Sequence, residues 1–195
     1  MELRPDQRCI VDIITPGASV LDLGCGDGDL LAALAEEKQI SGQGIEIDDD
    51  AIMRCVARGL NVFHDDIDRG LSEYEDRSFD FVVLNQTFQQ VRKPVEVLTE
   101  ALRVGAKVIV GFPNFATLAT RFQLGIMGRV PVTPSLPYEW HDTPNLHFLS
   151  ILDFIDYCAK RSIRVDKAFY FGARKRIRIF PNALAHVGVF LVTKG

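Results

Sequence analysis

The stretch VLDLGCGDGDLLAALAEE, residues 20–37, joins an apolar run to a helix-like segment through three closely spaced glycines. This order of strand, glycine turn and helix is typical of the first unit of a doubly wound α/β sheet. Ligands of such sheets bind beyond the carboxyl ends of the strands, and glycine lets them approach the main chain without an intervening Cβ. The stretch therefore predicts a ligand lying against the backbone of residues 24–28.

The rest of the chain alternates between short β-rich runs and helix-like segments, which indicates an α/β protein with a mostly parallel sheet. The predicted strands cover residues 19–23, 43–47, 61–64, 80–84, 106–112, 164–171 and 187–193. The predicted helices cover residues 6–14, 28–38, 51–58, 94–103, 115–127 and 150–160. Seven strands with interleaved helices indicate one doubly wound, Rossmann-like domain over residues 1–195.

Residues 113–148 interrupt this alternation with a high density of proline, a residue that ends helices and cannot donate to a sheet. The five prolines of this segment are Pro113, Pro131, Pro134, Pro137 and Pro144. We therefore expect an extended insertion after the fifth strand, in which only the helix over residues 115–127 is regular.

The charge balance argues against a polyanionic partner, because 22 Lys and Arg against 26 Asp and Glu leave a net charge of −4. Such a chain has no general attraction for nucleic acid. The four cysteines are scattered without a CxxC pair, which predicts free thiols and no metal site. A charged N-terminus and the lack of a long apolar run predict a cytoplasmic protein that does not enter a membrane.

The glycine turn itself reads GCGDGD, whereas a dinucleotide-binding turn reads GxGxxG. Asp29 stands where that fingerprint has its third glycine, which disfavours an NAD-dependent oxidoreductase. Asp27 and Asp29 would also repel a pyrophosphate. The turn is therefore better suited to a ligand whose nearby end is zwitterionic or cationic.

Acidic residues close three successive predicted strands at the same edge of the sheet. Asp22 lies near the end of the first strand, and Glu46 follows Gly26 by twenty residues, where a carboxylate can bind both hydroxyls of a ribose. Asp66 follows the third strand and is placed to accept from an adenine amine, with Ile47 as an apolar surface for the ring. Adenosine joined to an amino acid satisfies all three acids, and the predicted ligand is S-adenosylmethionine.

The motifs VLDLGCGDG, GIEID and the segment around Asp66 resemble the binding motifs of class I S-adenosylmethionine-dependent methyltransferases. The resemblance implies the strand order 3-2-1-4-5-7-6 with an antiparallel seventh strand, and S-adenosylmethionine or S-adenosylhomocysteine as the ligand. Asp65 is a departure, because the family more usually has glycine there. The candidate cofactor-binding residues are Asp22, Gly24, Gly26, Gly28, Glu46, Ile47, Asp66, Ile67 and Asn85.

Three further stretches, FDFVVLNQTFQQVRKPVEVL, FPNF and GRVPVTPSLPYEWHDTPNLHF, resemble the methionine biosynthesis protein MetW over essentially the whole chain. That resemblance implies a partner, homoserine O-acyltransferase, whose activity this chain would support as a subunit. The alternative is an active methyltransferase for a small metabolite. The fourth strand ends in LNQTF instead of the NPPY-like segment of amine-methylating enzymes, which argues against a planar-amine acceptor.

The insertion leaves three roles open. It can be a lid over the methyl group, with His141 or His147 as the candidate catalytic base. It can be a docking loop in which Tyr138 and Trp140 anchor a partner. It can also be plain packing. A basic run that includes Arg174 is a further candidate for docking an acidic partner, although such a run is usually a solvated loop.

Overall fold

A computed structural model describes residues 3–173 and 175–195, so Arg174 of the basic run lies outside the described residues. It contains a seven-stranded sheet in the order β3-β2-β1-β4-β5-β7-β6, which confirms the predicted fold class. The strands are β1 Ser19–Leu23, β2 Ser41–Glu46, β3 Val62–His64, β4 Phe79–Asn85, β5 Gly105–Pro113, β6 Ile163–Phe171 and β7 Val187–Lys194. Strands β1 to β5 are parallel, and β7 runs antiparallel to both β5 and β6.

Helices cover both faces of this sheet. They are α1 Pro5–Ile13, α2 Asp29–Lys38, α3 Asp49–Ala57, α4 Pro94–Val104, α5 Leu118–Gly125, α6 Ile151–Lys160 and α7 Pro181–Leu184. Successive strand residues point to opposite faces, so Leu21 joins the apolar cluster under α4 and α6, whereas Val20 joins the cluster under α1 and α2. Among the described residues, no helix combines the length and the apolar character that crossing a bilayer requires.

The observed elements differ from the predicted ones mainly where a cap, and not hydrophobic periodicity, sets the boundary. The predicted helix over residues 115–127 is the shorter α5, because the Thr117 hydroxyl caps it by accepting from the Thr120 N–H at 3.2 Å. Helix α6 begins as predicted, with a capping box between Ser150 and Asp153. The four-residue helix α7 and a 3₁₀ turn at Ile67–Arg69 are too short to give a periodic signal.

The insertion after β5 is held at its base by one buried side chain. Asn114 donates from Nδ2 to the carbonyl oxygens of Asn182 at 3.0 Å and Ala185 at 2.8 Å. Its Oδ1 accepts from the N–H groups of Ala116 at 3.1 Å and Ile151 at 3.4 Å. A single amide therefore joins the first residues of the insertion to α6 and to the segment before β7.

Candidate functional site

A cavity of about 600 Å³ opens at the carboxyl ends of β1, β2 and β4, a volume typical of sites for small ligands. It lies at the edge that the sequence predicted. Eight of the nine candidate cofactor-binding residues line it, namely Asp22, Gly24, Gly26, Glu46, Ile47, Asp66, Ile67 and Asn85. Every residue that lines this cavity belongs to the segment 4–92, and the insertion contributes none.

The three glycines of the turn have different roles, although all three have positive φ angles. A Cβ on Gly26 would meet no atom within 4 Å, so this residue presents bare main chain to the cavity. A Cβ on Gly24 would lie 2.5 Å from the Thr87 methyl carbon. Gly28 does not line the cavity, and a Cβ there would collide with Leu60. Gly28 is therefore closely packed, and its place among the ligand contacts stays a prediction.

Glu46, the last residue of β2, is fixed by the main chain around it. Its Oε2 accepts from the Gly26 N–H at 2.7 Å, and its Oε1 accepts from the N–H groups of Ile47 at 2.8 Å and Asp48 at 3.0 Å. These bonds orient the carboxylate toward the glycine turn. A carboxylate offers about four lone-pair positions, so it retains capacity for a ligand hydroxyl.

Asp22 is the most deeply buried acid of the site, with 3% of its surface exposed. Burial, with the charge of Glu46 as the smaller cause, raises the pKa of Asp22 to about 7. A carboxyl group in this state is half-protonated near neutral pH. A positive charge on a bound ligand would favour its ionised form, so Asp22 is suited to a cationic group.

Asn85 ends β4 on the same face of the sheet as Asp22, and its side chain meets α1. Its Nδ2 donates to Asp6 at 3.0 Å, and Asp6 pairs with Arg4 at 3.1 Å. The Oδ1 of Asn85 is buried and, within the described part of the chain, has no hydrogen-bond partner. This oxygen lies against Gly111 of β5, where a Cβ would be 2.1 Å from it, so Asn85 also fits the end of β4 to its neighbouring strand.

The loop after β3 forms the opposite wall of the cavity. Asp66 caps the short 3₁₀ turn by accepting from the Asp68 N–H at 3.0 Å. Asp68 in turn accepts from the N–H groups of Arg92 and Lys93, each at 2.9 Å, so it fixes the loop to the start of α4. Together with Ile47, which is 60% exposed, Ile67 gives this wall apolar surface next to Asp66.

The structure changes the interpretation of the two acids beside the turn. Asp27 pairs with Arg54 at 2.8 Å, and Asp29 pairs with Arg58 at 2.7 Å. Arg54 lies in α3 and Arg58 directly follows it, and the two offset much of the negative charge that we expected to repel a pyrophosphate. The case against a dinucleotide therefore depends on the missing third glycine and on the buried Asp22, and less on Asp27 and Asp29.

Neither candidate base is at the cavity. His141 is exposed on the insertion, with its Nδ1 3.7 Å from a carboxylate oxygen of Glu139. His147 is partly buried, and neither histidine lines the cavity. The structure therefore gives no geometric support to a role of either residue as the base of a reaction at this site.

Several lining residues were not predicted from the sequence. Arg4 and Gln7 come from α1, and Gln86, Thr87 and Gln90 come from the loop after β4. Arg4 precedes the first predicted element and no motif marks it, so only the packing of α1 over β4 brings it to the site. The QTFQQ segment after β4 could have been considered, because loops at this edge of a parallel sheet line the ligand site.

Comparison with known proteins places the whole chain in a family. A profile of the family "Methionine biosynthesis protein MetW" matches residues 4–192. The chain is 36% identical over 92% of its length to the bifunctional methionine biosynthesis protein MetXA/MetW of Rhodopirellula baltica. It spans about 30% of the length of that relative.

Solved structures with the same fold are much less similar in sequence. The chain is similar to an S-adenosylmethionine-dependent methyltransferase from Archaeoglobus fulgidus, with a TM-score of 0.72 and 17% identity over 96% of this chain and 90% of that one. It is also similar to a possible histamine N-methyltransferase from Thermotoga maritima, with a TM-score of 0.71 and 20% identity over 97% and 88%. At such identities the likeness establishes the fold alone.

Proposed function

The chain belongs to the methionine biosynthesis protein MetW family, and from that premise we propose that its cavity binds S-adenosylmethionine or S-adenosylhomocysteine. The observation that carries the proposal is that two acids lie beside bare main chain at the carboxyl edge of the sheet. Gly26 leaves open space at the turn, Glu46 is already oriented toward it, and Asp22 is buried where a cation would compensate it.

Different residues of the cavity suit different parts of the ligand. Glu46 would accept from the ribose hydroxyls, while Ile47, Asp66 and Ile67 would hold the adenine ring. Asp22 would favour the positively charged groups at the methionine end of the ligand. The Arg4 guanidinium would pair with the carboxylate of the ligand. When bound, S-adenosylmethionine would supply a methyl group attached to its sulfonium, which can be transferred to an acceptor.

We further propose that the chain acts with homoserine O-acyltransferase and supports its activity. The support is the R. baltica relative, which is named as one polypeptide carrying both MetXA and MetW. Among the described residues no histidine lines the cavity, which also favours a binding subunit over a catalyst. Because S-adenosylmethionine is made from methionine, its binding would report the output of the pathway to the enzyme that feeds it.

Co-purification of the chain with the homoserine acyltransferase of the same organism tests this proposal. Acyl transfer is then assayed with the chain present or absent, and with S-adenosylmethionine added or omitted. We expect a stable complex and a rate that depends on the chain. If the proteins do not associate and the rate is unchanged, the partnership is wrong.

The second candidate function is a methyltransferase for a small carboxylate or thiol metabolite. The observation that favours it is the complete ligand cavity in a fold shared with methyltransferases. Incubation of the chain with methyl-labelled S-adenosylmethionine and a small-molecule extract would then give a labelled small product. If only labelled S-adenosylmethionine is recovered, the binding-subunit proposal stands and this candidate is excluded.

A further inference from the structure

The insertion between β5 and α6 exposes an unusual amount of apolar surface. Of the twenty exposed large apolar side chains found among the described residues, eleven fall within residues 118–148. They are Leu118, Phe122, Leu124, Ile126, Met127, Val130, Val132, Tyr138, Trp140, Leu146 and Phe148. Scattered exposed apolar residues are normal, but a concentration of this kind marks an interaction site. We call this set the insertion surface.

Helix α5 shows why this surface needs a partner. It is eight residues long and buries only Thr120, while Leu118 and Phe122, one turn apart on the same stripe, are 56% and 57% exposed. A helix this short gains its stability from packing an apolar stripe, since its own hydrogen bonds are marginal in water. The stripe of α5 therefore faces solvent where a second protein surface would be expected.

Beside α5 the insertion forms a hollow of about 190 Å³ that can receive a side chain of a partner. Its walls include Phe115, Val130, Tyr138, Trp140 and Phe148. Trp140 is 74% exposed at the rim. Tryptophan and tyrosine around a small apolar hollow are typical of the residues that carry most of the free energy of protein association.

The insertion surface is also joined to the loop that lines the ligand cavity. The main-chain oxygen of Gln89 accepts from the N–H groups of Leu146 at 2.9 Å and His147 at 3.0 Å. Its neighbours Gln90 and Thr87 line the cavity. One short loop therefore contacts the ligand site on one side and the insertion on the other, which gives ligand and partner a physical route to influence each other.

The chemistry of the insertion surface favours a stable protein partner. Residues 118–148 carry only four charged side chains, Arg121, Arg129, Glu139 and Asp142, and permanent interfaces are more apolar than transient ones. A lid function is not favoured, because no residue of the insertion lines the cavity. In the R. baltica relative the corresponding domain shares a polypeptide with a MetXA part, which holds the two at high effective concentration.

Resting on the proposed function, we propose that the insertion surface is the face on which the homoserine acyltransferase docks. The test uses the full chain and the acyltransferase of the same organism, with association measured by calorimetry or biolayer interferometry. The variants are Ile126→Ser and Trp140→Ser, whose parent side chains are 76% and 74% exposed, so that folding is preserved. The matched control is Met53→Ser, at a side chain that is 68% exposed on α3 near the opposite edge of the sheet.

We expect each insertion variant to weaken the complex at least tenfold, and the control to stay within about twofold of the unmodified chain. All three variants should bind S-adenosylmethionine with unchanged affinity, which verifies their fold. Unchanged binding of the acyltransferase to both insertion variants would overturn the docking surface while leaving the partnership intact.

Light scattering of the chain alone provides a second way to overturn the proposal. A dimer that Ile126→Ser dissociates, with no loss of affinity for the acyltransferase, would assign the insertion surface to a second copy of this chain. If the unmodified proteins do not associate at all, the proposed partnership with the acyltransferase fails, and this inference fails with it. The two failures are therefore distinguishable.

Discussion

The ligand cavity and the insertion are built from different parts of the chain and in different ways. The cavity takes all its lining from residues 4–92, and its polar groups are oriented by the main chain, as Glu46 is by Gly26 and Ile47. The insertion follows β5, has one short helix, and leaves most of its large apolar side chains in solvent. The polar groups of the cavity are thus held by the chain itself, whereas most large apolar side chains of the insertion surface have no such packing.

The comparison predicts first that the base of the insertion can be weakened without harm to the cavity. Asn114→Ala removes four hydrogen bonds of a fully buried amide and leaves main-chain groups unpaired, so we expect a loss of about 3–5 kcal/mol in unfolding free energy. Urea unfolding measures it, with Asn61→Ala at an exposed position as control. Affinity for S-adenosylmethionine should stay within about twofold. A large loss of affinity would show that the two regions are not separable.

The second prediction concerns the turn and separates backbone strain from packing. Gly28 and Gly17 have nearly equal φ angles of +74° and +75°, but only Gly28 has neighbours at its missing Cβ. We expect Gly28→Ala to cost about 2–4 kcal/mol, from the left-handed conformation and the collision with Leu60 together. Gly17→Ala should cost about 1 kcal/mol, from the conformation alone. Equal losses in urea unfolding would contradict the packing role given to Gly28.

The third prediction sharpens the role of Glu46 within the cavity. Glu46→Ala should weaken S-adenosylmethionine by about 1.5–3 kcal/mol, the range for hydrogen bonds to a charged group. Calorimetric titration measures this as roughly a tenfold to hundredfold rise in Kd. Glu46→Gln is the matched variant, because it keeps one acceptor for Ile47 and Asp48 but turns an amide toward the Gly26 N–H. Unchanged affinity in both variants would mean that the ribose lies elsewhere.

The smallest expected effect is a pH dependence of binding that comes from Asp22. The pKa of Asp22 is raised from 3.8 to about 7, so the carboxyl group of the free protein takes up a proton as the pH falls through neutrality. The protonated group no longer offers a negative charge to a cationic ligand. Affinity for S-adenosylmethionine should therefore fall as the pH drops through about 7 and level off above pH 8. Asp22→Asn should abolish this slope, while Asp50→Asn at an exposed position should retain it.

The same shift has a consequence for the stability of the unliganded chain. Because the folded state raises the pKa of Asp22, the stabilising contribution of this group is fully present below pH 3.8 and is lost as the pH rises through about 7. Asp22→Asn removes that loss. The variant should therefore be the more stable one at pH 8 in thermal unfolding, although it binds the ligand more weakly. A less stable variant at pH 8 would contradict the burial of an ionised carboxylate.

The site could be predicted from the sequence to the extent that its chemistry is local. Strand, turn and acid follow one another in the chain, so spacing predicted that Gly26, Glu46 and Asp66 would lie at this edge of the sheet, where they line the cavity. Arg4 and Thr87 were missed because tertiary packing alone brings them to the cavity. The packing of Gly28 was missed for the same reason, since its neighbour Leu60 lies thirty-two positions away in the sequence. Spacing also could not reveal that Arg54 and Arg58 neutralise the acids of the turn.

The fold was predictable for a related reason, because the alternation of strands and helices gives a periodic signal. All six predicted helices and all seven predicted strands have counterparts in the structure. Their ends differ by a few residues where caps such as Thr117 set the boundary. The insertion gave no such signal. Its prolines indicated irregular backbone, but which of its apolar side chains stay exposed is set by tertiary packing, which the sequence pattern does not show.

A crystal structure of the chain grown with S-adenosylmethionine tests the central claim most directly. The account predicts the nucleoside in the cavity between the main chain of Gly26 and the carboxylate of Glu46, with its hydroxyls on that carboxylate and its charged end toward Asp22. An empty cavity at saturating ligand, or the ligand bound at another place, would contradict it.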